Sequence, residues 1–190
     1  MWGKPTTVNN VESFAQIPTI LRNPEAALRM LVTLDDTFKN PGIYDVELGV
    51  TFREVIDGLG GGLADGGTLR GFSPALSSAF LAASNLDLPL EHEAVRAAGS
   101  NLGCAGLSLV SDKHCMVERC SEIAGFFMRE QCGQCPPCRM ETNTMAAVLK
   151  RLLKGEAGAY RAQIDKVAKF ARGKGNCSLI EMAAAPIQSA

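Results

Sequence analysis

Histidine and the larger aromatics are scarce in this sequence: two His, two Tyr and one Trp among 190 residues. Few side chains are therefore available for proton transfer near neutral pH, where histidine ordinarily titrates. Neither His92 nor His114 has a sequence neighbourhood of carboxylates or cysteines that implies a ligand set, so both read as solvated or structural. No charge of one sign dominates. The 19 basic and 20 acidic residues give a net charge of -1 and a pI near 6.1, so the broad basic field that draws proteins to nucleic acid is missing. No apolar run approaches the roughly 20 residues of a membrane span, and the opening MWGKPTTVNN has no signal-peptide core. A cytoplasmic chain that binds no nucleic acid is expected. A serine elbow and a Walker sequence are missing as well. GLGGGLADGG, residues 58–67, fits no register of a dinucleotide loop and follows a helix pattern instead of opening one. Paired acids such as Asp35–Asp36, or Glu91 and Glu93, read as solvated turn residues, and no catalytic residue is assigned.

What is present is enough for one or two packed domains, since 46% of residues are hydrophobic and 21% charged. Cysteine is the conspicuous type. Seven is an odd number for disulfides, and three of the seven fall between Cys132 and Cys138, a crowding that suits thiolate ligation in a reducing compartment.

The first 25 residues, with Pro5, Pro18 and Pro24, read as an extended lead-in with one short helix at most. RMLVTL and GIYDVEL, around the turn-rich segment 35–42, predict a hairpin. Thr51 and Glu54 form a capping-box pattern for a helix from about Phe52 to Asp57, and further strands are expected at 68–72 and 107–110. The 73–90 stretch stays open between loop and helix. From about Ser111 the period turns helical. Met116, Cys120, Ile123, Ala124, Phe127 and Met128 form one apolar face, and Met145, Val148, Leu149, Leu152 and Leu153 another, with Gly155 as stop. A third helix is expected over 159–172. Ser178 and Glu181 suggest a capping box for a fourth that starts right after Cys177 and runs to the end. The fold class expected is α+β: a small mixed domain over 26–111, then a four-helix bundle over 112–190.

QCGQCPPCR and the later GKGNC together give C-x2-C-x2-C plus one distant cysteine. A 4Fe-4S cluster needs four thiolates, three of which a tight loop can present while the fourth comes from elsewhere. Cys177, in a glycine-flanked loop at a helix start, suits that task best. Cys120 lies 12 residues before Cys132, about 18 Å along a helix. Cys104, Cys115 and Cys120 therefore read as small buried hydrophobes. Pro136 and Pro137 would stiffen the loop and withhold amide donors, while Arg139 and Lys174 bring positive charge. The competing reading is structural zinc in a binding or assembly module, although zinc usually draws two ligands from each of two knuckles.

GKPTTVNNVES, NPGIYDVELG and CGQCPPCR with a later cysteine are together similar to the C-terminal part of the NADH-binding flavoprotein subunit of respiratory complex I and of related NAD-linked hydrogenases and formate dehydrogenases. That family usually has threonine where Pro136 stands. The resemblance implies a ubiquitin-like β-grasp domain of the SLBB type, then a helical 4Fe-4S domain with Cys132, Cys135, Cys138 and Cys177 as ligands. Asn9 and Asn10 match an asparagine pair near FMN in relatives. The family's FMN- and NADH-binding half has no counterpart here, so FMN and NAD are expected on a missing domain or a partner chain, and the chain alone is expected to be inactive with NADH. Other implied partners are a thioredoxin-like 2Fe-2S subunit and a larger iron-sulfur, hydrogenase or formate dehydrogenase subunit, in a complex peripheral to the inner face of the membrane. A fragment of a longer protein and a short natural subunit both fit.

Overall fold

The computed structural model describes residues 1–26, 28–156 and 158–190. Strands β1 (Arg29–Leu34) and β2 (Gly42–Glu47) form the expected antiparallel hairpin, with Val32 opposite Tyr44. β3 (Leu69–Ser73), β4 (Leu81–Ala82) and β5 (Gly106–Ser111) complete a mixed five-stranded sheet in the order β2-β1-β5-β3-β4, with β1 and β5 running parallel at its centre. Burial alternates along β1 as a half-buried strand requires, with Val32 and Leu34 inward, whereas β5 is buried from Leu107 to Ser111, and Phe72 of β3 meets Phe52 with ring centroids 4.8 Å apart.

The Thr51 capping box forms, the Thr51 amide donating to Glu54 Oε2 at 2.7 Å and the Glu54 amide to Thr51 Oγ1 at 3.2 Å. The helix it opens widens to a π-helix over Glu54–Leu59 and runs past Gly58 to Gly60. The reason is local. A Cβ on Gly60 would lie 2.4 Å from the Phe38 ring, so the turn closes where glycine lets the backbone pass that ring. The lead-in is more regular than expected. Helix α1 (Val11–Arg22) runs through Pro18 and buries no residue. A short helix α2 (His92–Ala97) also appears, with Glu91 as its N-cap residue and Glu93 in its first turn, so these acids belong to a helix start and not to a turn.

The second half is helical: α3 (Met116–Glu130), α4 (Pro136–Leu153) and α5 (Tyr160–Ala171). Cys120, Ile123, Phe127, Met145, Leu149, Ile164 and Val167 make a core that shares no residue with the core under the sheet. The expected fourth helix is broken into α6 (Leu179–Met182) and α7 (Ala184–Ser189), because Pro186 has no amide to donate to the carbonyl four residues back. The Ser178 capping box does not form. Ser178 makes no side-chain cap, and Glu181 Oε1 accepts instead from the Gly173 amide at 3.2 Å. Arg119 of α3 joins the halves by pairing with Asp35 at 3.3 Å and donating to Ser108, which corrects the solvated reading of Asp35. Among the described residues no helix is long and apolar enough to cross a membrane.

Candidate functional site

Two chain segments meet beyond the helical core. The first is the turn between α3 and α4, where Gly133 has a φ of 77° and its amide donates to Gln131 Oε1 at 2.8 Å. Cys135 is the N-cap residue of α4, and Pro136 and Pro137 occupy its first positions, where helices need no amide. The prolines are thus helical and not part of a loop, and Cys138 lies in the first turn of α4, which corrects the picture of three cysteines on one loop. The second segment is the turn after α5. A Cβ on Gly175 would come within 2.8 Å of Ile180 Cγ2, so glycine permits this tight fold. The next amide, of Asn176, donates to Cys135 Sγ at 3.3 Å. Cys138, Cys135, Ala171, Leu179 and Ile180 share a small apolar cluster that fastens the segments together.

Cys138 is buried, Cys135 half-buried, and Cys132 and Cys177 exposed; all seven cysteines are free thiols. Burial, first, and then the negative charges of Glu141, Cys135, Cys177 and Cys132 push the Cys138 thiol above its ordinary range. The other three predicted ligands thus lie within electrostatic reach of Cys138. The positive end of the long α4 dipole faces them. Lys174 is close by in sequence, but its ammonium sits 3.7 Å from the Phe170 ring centroid.

The other candidates fall out differently. Cys120 is a buried hydrophobe as expected, its thiol pushed up to about 11 chiefly by burial. Cys104 and Cys115 are exposed, contrary to expectation, Cys115 because it is the N-cap residue of α3. His114 does meet a carboxylate, Asp65, at 3.9 Å across the fold. Its Nδ1 accepts from the Ser111 amide while the buried Ser111 hydroxyl donates to Asp65, an arrangement that closes a turn and leaves no free nucleophile. Asn10 caps α1, accepting from the Glu12 amide at 2.8 Å.

A family model described as the NADH-ubiquinone oxidoreductase-F iron-sulfur binding region matches residues 118–190. Residues 118–190 are thus similar to this family's iron-sulfur binding region. Along its whole length the chain is 34% identical to the F subunit of NADH-quinone oxidoreductase from Escherichia coli (strain K12), covering 45% of that protein. It is 33% identical over 87% of its length to the HndC subunit of the NADP-reducing hydrogenase from Solidesulfovibrio fructosivorans, covering 36% of it. A solved NAD+-reducing NiFe hydrogenase in the H2-reduced state superposes over 99% of the chain and 34% of its own, with a TM-score of 0.82 at 25% identity. The chain spans less than half the length of these relatives.

Sequence reasoning overlooked one residue of this iron-sulfur region. Glu141, on α4, is 1% exposed and neither carboxyl oxygen has a partner. Burial, with a smaller contribution from Glu181, pushes its carboxyl up from 4.5 to about 8. The folded state therefore holds this proton more tightly than the unfolded chain. Stability from this group is full below about 4.5 and declines as pH rises toward about 8. Thermal melts of the metal-free chain are expected to show Tm falling across that window, and the fall is expected to shrink in Glu141→Gln. Equal pH profiles for the two proteins would contradict this.

Proposed function

We propose that the chain is the electron-relay part of an NADH-linked oxidoreductase, with Cys132, Cys135, Cys138 and Cys177 as thiolate ligands of one 4Fe-4S cluster. The observation that carries this reading is the meeting of the 131–138 and 173–178 segments, tied by the Asn176 amide on the Cys135 sulfur. A cluster bound there supplies one-electron chemistry. The protein's part is electrostatic and positional: the Asn176 amide stabilises negative charge on Cys135, the prolines withhold further donors, and the apolar cluster around Cys138 keeps water from one side. The sequence spacing favours a cluster over zinc, because three cysteines fall in one C-x2-C-x2-C run with a single distant partner, whereas zinc usually draws two ligands from each of two knuckles.

In this reading residues 26–111 are a β-grasp domain, supported by the sheet order with a parallel central pair. Residues 112–190 are the cluster-binding bundle, supported by their separate core. Residues 1–25 lead in from an FMN- and NADH-binding domain or subunit. Val11, Phe14 and Leu21 of α1, left uncovered, support a neighbour there, with Asn9 and Asn10 toward the FMN. A cluster held by these cysteines would relay single electrons between an FMN on that neighbour and further iron-sulfur centres, on a 2Fe-2S subunit and a larger iron-sulfur, hydrogenase or formate dehydrogenase subunit, in a complex peripheral to the membrane's inner face. NADH oxidation needs the other half.

Anaerobic reconstitution of the full chain tests the reading. It is expected to give about four iron and four sulfide per chain and, after dithionite, a cubane signal by EPR that Cys135→Ser weakens or removes. One zinc and no iron, or identical spectra from both proteins, would sink it.

A further inference from the structure

Glu141 stands three residues after Cys138 on α4, and Glu181 stands four after Cys177 on α6. Glu141 thus lies one helical turn beyond one candidate ligand, and Glu181 lies in the short helix that follows another. They border one cavity of about 280 Å3, which Arg172 at the end of α5 and Gln188 of α7 also line. Such a volume has room for several waters at about 30 Å3 each. Glu141 is buried, and two other residues that line the cavity with it, Arg172 and Glu181, are exposed.

Of the polar groups that line the cavity with Glu141, Glu181 and Gln188 are already engaged. Glu181 Oε1 accepts from Gly173, Gln188 Nε2 donates to Asp165 at 2.8 Å, and Asp165 also pairs with Arg161. On α4 itself the Cys138 thiol lies within electrostatic reach of Glu141. Arg172 forms no ion pair with Glu141 among the described residues. A buried carboxylate here would have no counter-charge, and an electron added one helical turn away would worsen its position.

We propose that Glu141 is a redox-linked proton site: it binds one proton, drawn from solvent through the cavity, when the cluster held by Cys132, Cys135, Cys138 and Cys177 gains one electron, and it releases that proton when the electron leaves. The inference rests on the cluster reading above. Charge balances, because one electron from the reductant and one proton from water arrive together, and the only bond made is the O–H of Glu141. Burial and the Glu181 charge, already noted, set the proton affinity in the range where solvent can supply and accept it.

An EPR-monitored redox titration of the reconstituted full chain, from about pH 6 to about pH 10, reads this coupling directly. Below the pH at which Glu141 ionises in the oxidised protein, the midpoint is expected to be flat. Above it, each tenfold fall in proton activity makes reduction tenfold harder, about 59 mV per pH unit. Glu141→Gln is expected to abolish the slope. Infrared redox-difference spectra of the wild-type chain above that pH are expected to show a protonated-carboxyl band gained on reduction, a readout that needs no variant. A flat wild-type midpoint with a full iron count overturns this inference alone, as does a slope unchanged in the variant or a missing carboxyl band. A chain that takes up no iron overturns the cluster reading with it.

Discussion

Serine in place of Cys138 is expected to abolish retention of a complete cluster, bringing iron from about four per chain to well under half of that after desalting. The expectation follows from where this sulfur sits. Cys138 is 8% exposed, against Ala171 and Ile180, and burial pushes its free thiol above the ordinary range. Loading requires the thiol proton to leave, and the thiolate is then retained by the metal charge. A serine hydroxyl is far harder to ionise and offers a hard oxygen where iron-sulfur chemistry takes a soft donor. Two controls separate ligation from folding. Cys104→Ser, at an exposed position of the sheet half, is expected to change neither iron content nor Tm. Cys120→Ser, 3% exposed in the helical core, is expected to cost about 1–3 kcal/mol by burying a hydroxyl without a partner, while leaving iron content of the folded chain intact. Full iron in Cys138→Ser, or loss of iron in Cys104→Ser, would defeat the ligand assignment.

The legible parts of the sequence were those with strong local signals. The 29–34 strand, the Thr51 capping box and helix stops such as Gly155 and Gly173 needed only neighbouring residues, and each formed. The C-x2-C-x2-C spacing is a local pattern of the same kind, and the proposed fourth ligand was chosen by its glycine flanks. What escaped depends on distant partners. Glu181 looked like half of a capping box but serves Gly173, eight residues back. Asp35 looked solvated, yet Arg119 reaches it from the other half of the chain. Glu141 gave one overlooked signal: it lies three residues after Cys138 and four before Met145, on the face that α4 turns inward. An acid on such a face must be paired, protonated or poised for a task, and only tertiary packing tells which.

Separate cores imply separable failures, and truncation of Phe72 is the sharpest way to see them. Phe72 is fully buried in β3 and stacks on Phe52, so Phe72→Ala removes an aromatic ring from the sheet core and is expected to cost about 3–5 kcal/mol. None of that core is shared with the helices, so cluster absorbance is expected to survive denaturant concentrations that already abolish the near-ultraviolet dichroism of the sheet half. Met145→Ala, in the helical core, is expected to cost about 2–5 kcal/mol and to do the reverse, releasing iron first. The links between the halves include Arg119 to Asp35 and Ser108, the Phe80 amide to Ser189 Oγ at 2.9 Å, and the Phe80 side chain packed against the helical core. Polar contacts of this kind contribute about a kcal/mol each, less than either core truncation removes. Two transitions are therefore expected in each variant where a single cooperative unit would give one. Coincident loss of dichroism and cluster absorbance in both variants would mean that the halves stabilise each other far more than these contacts allow.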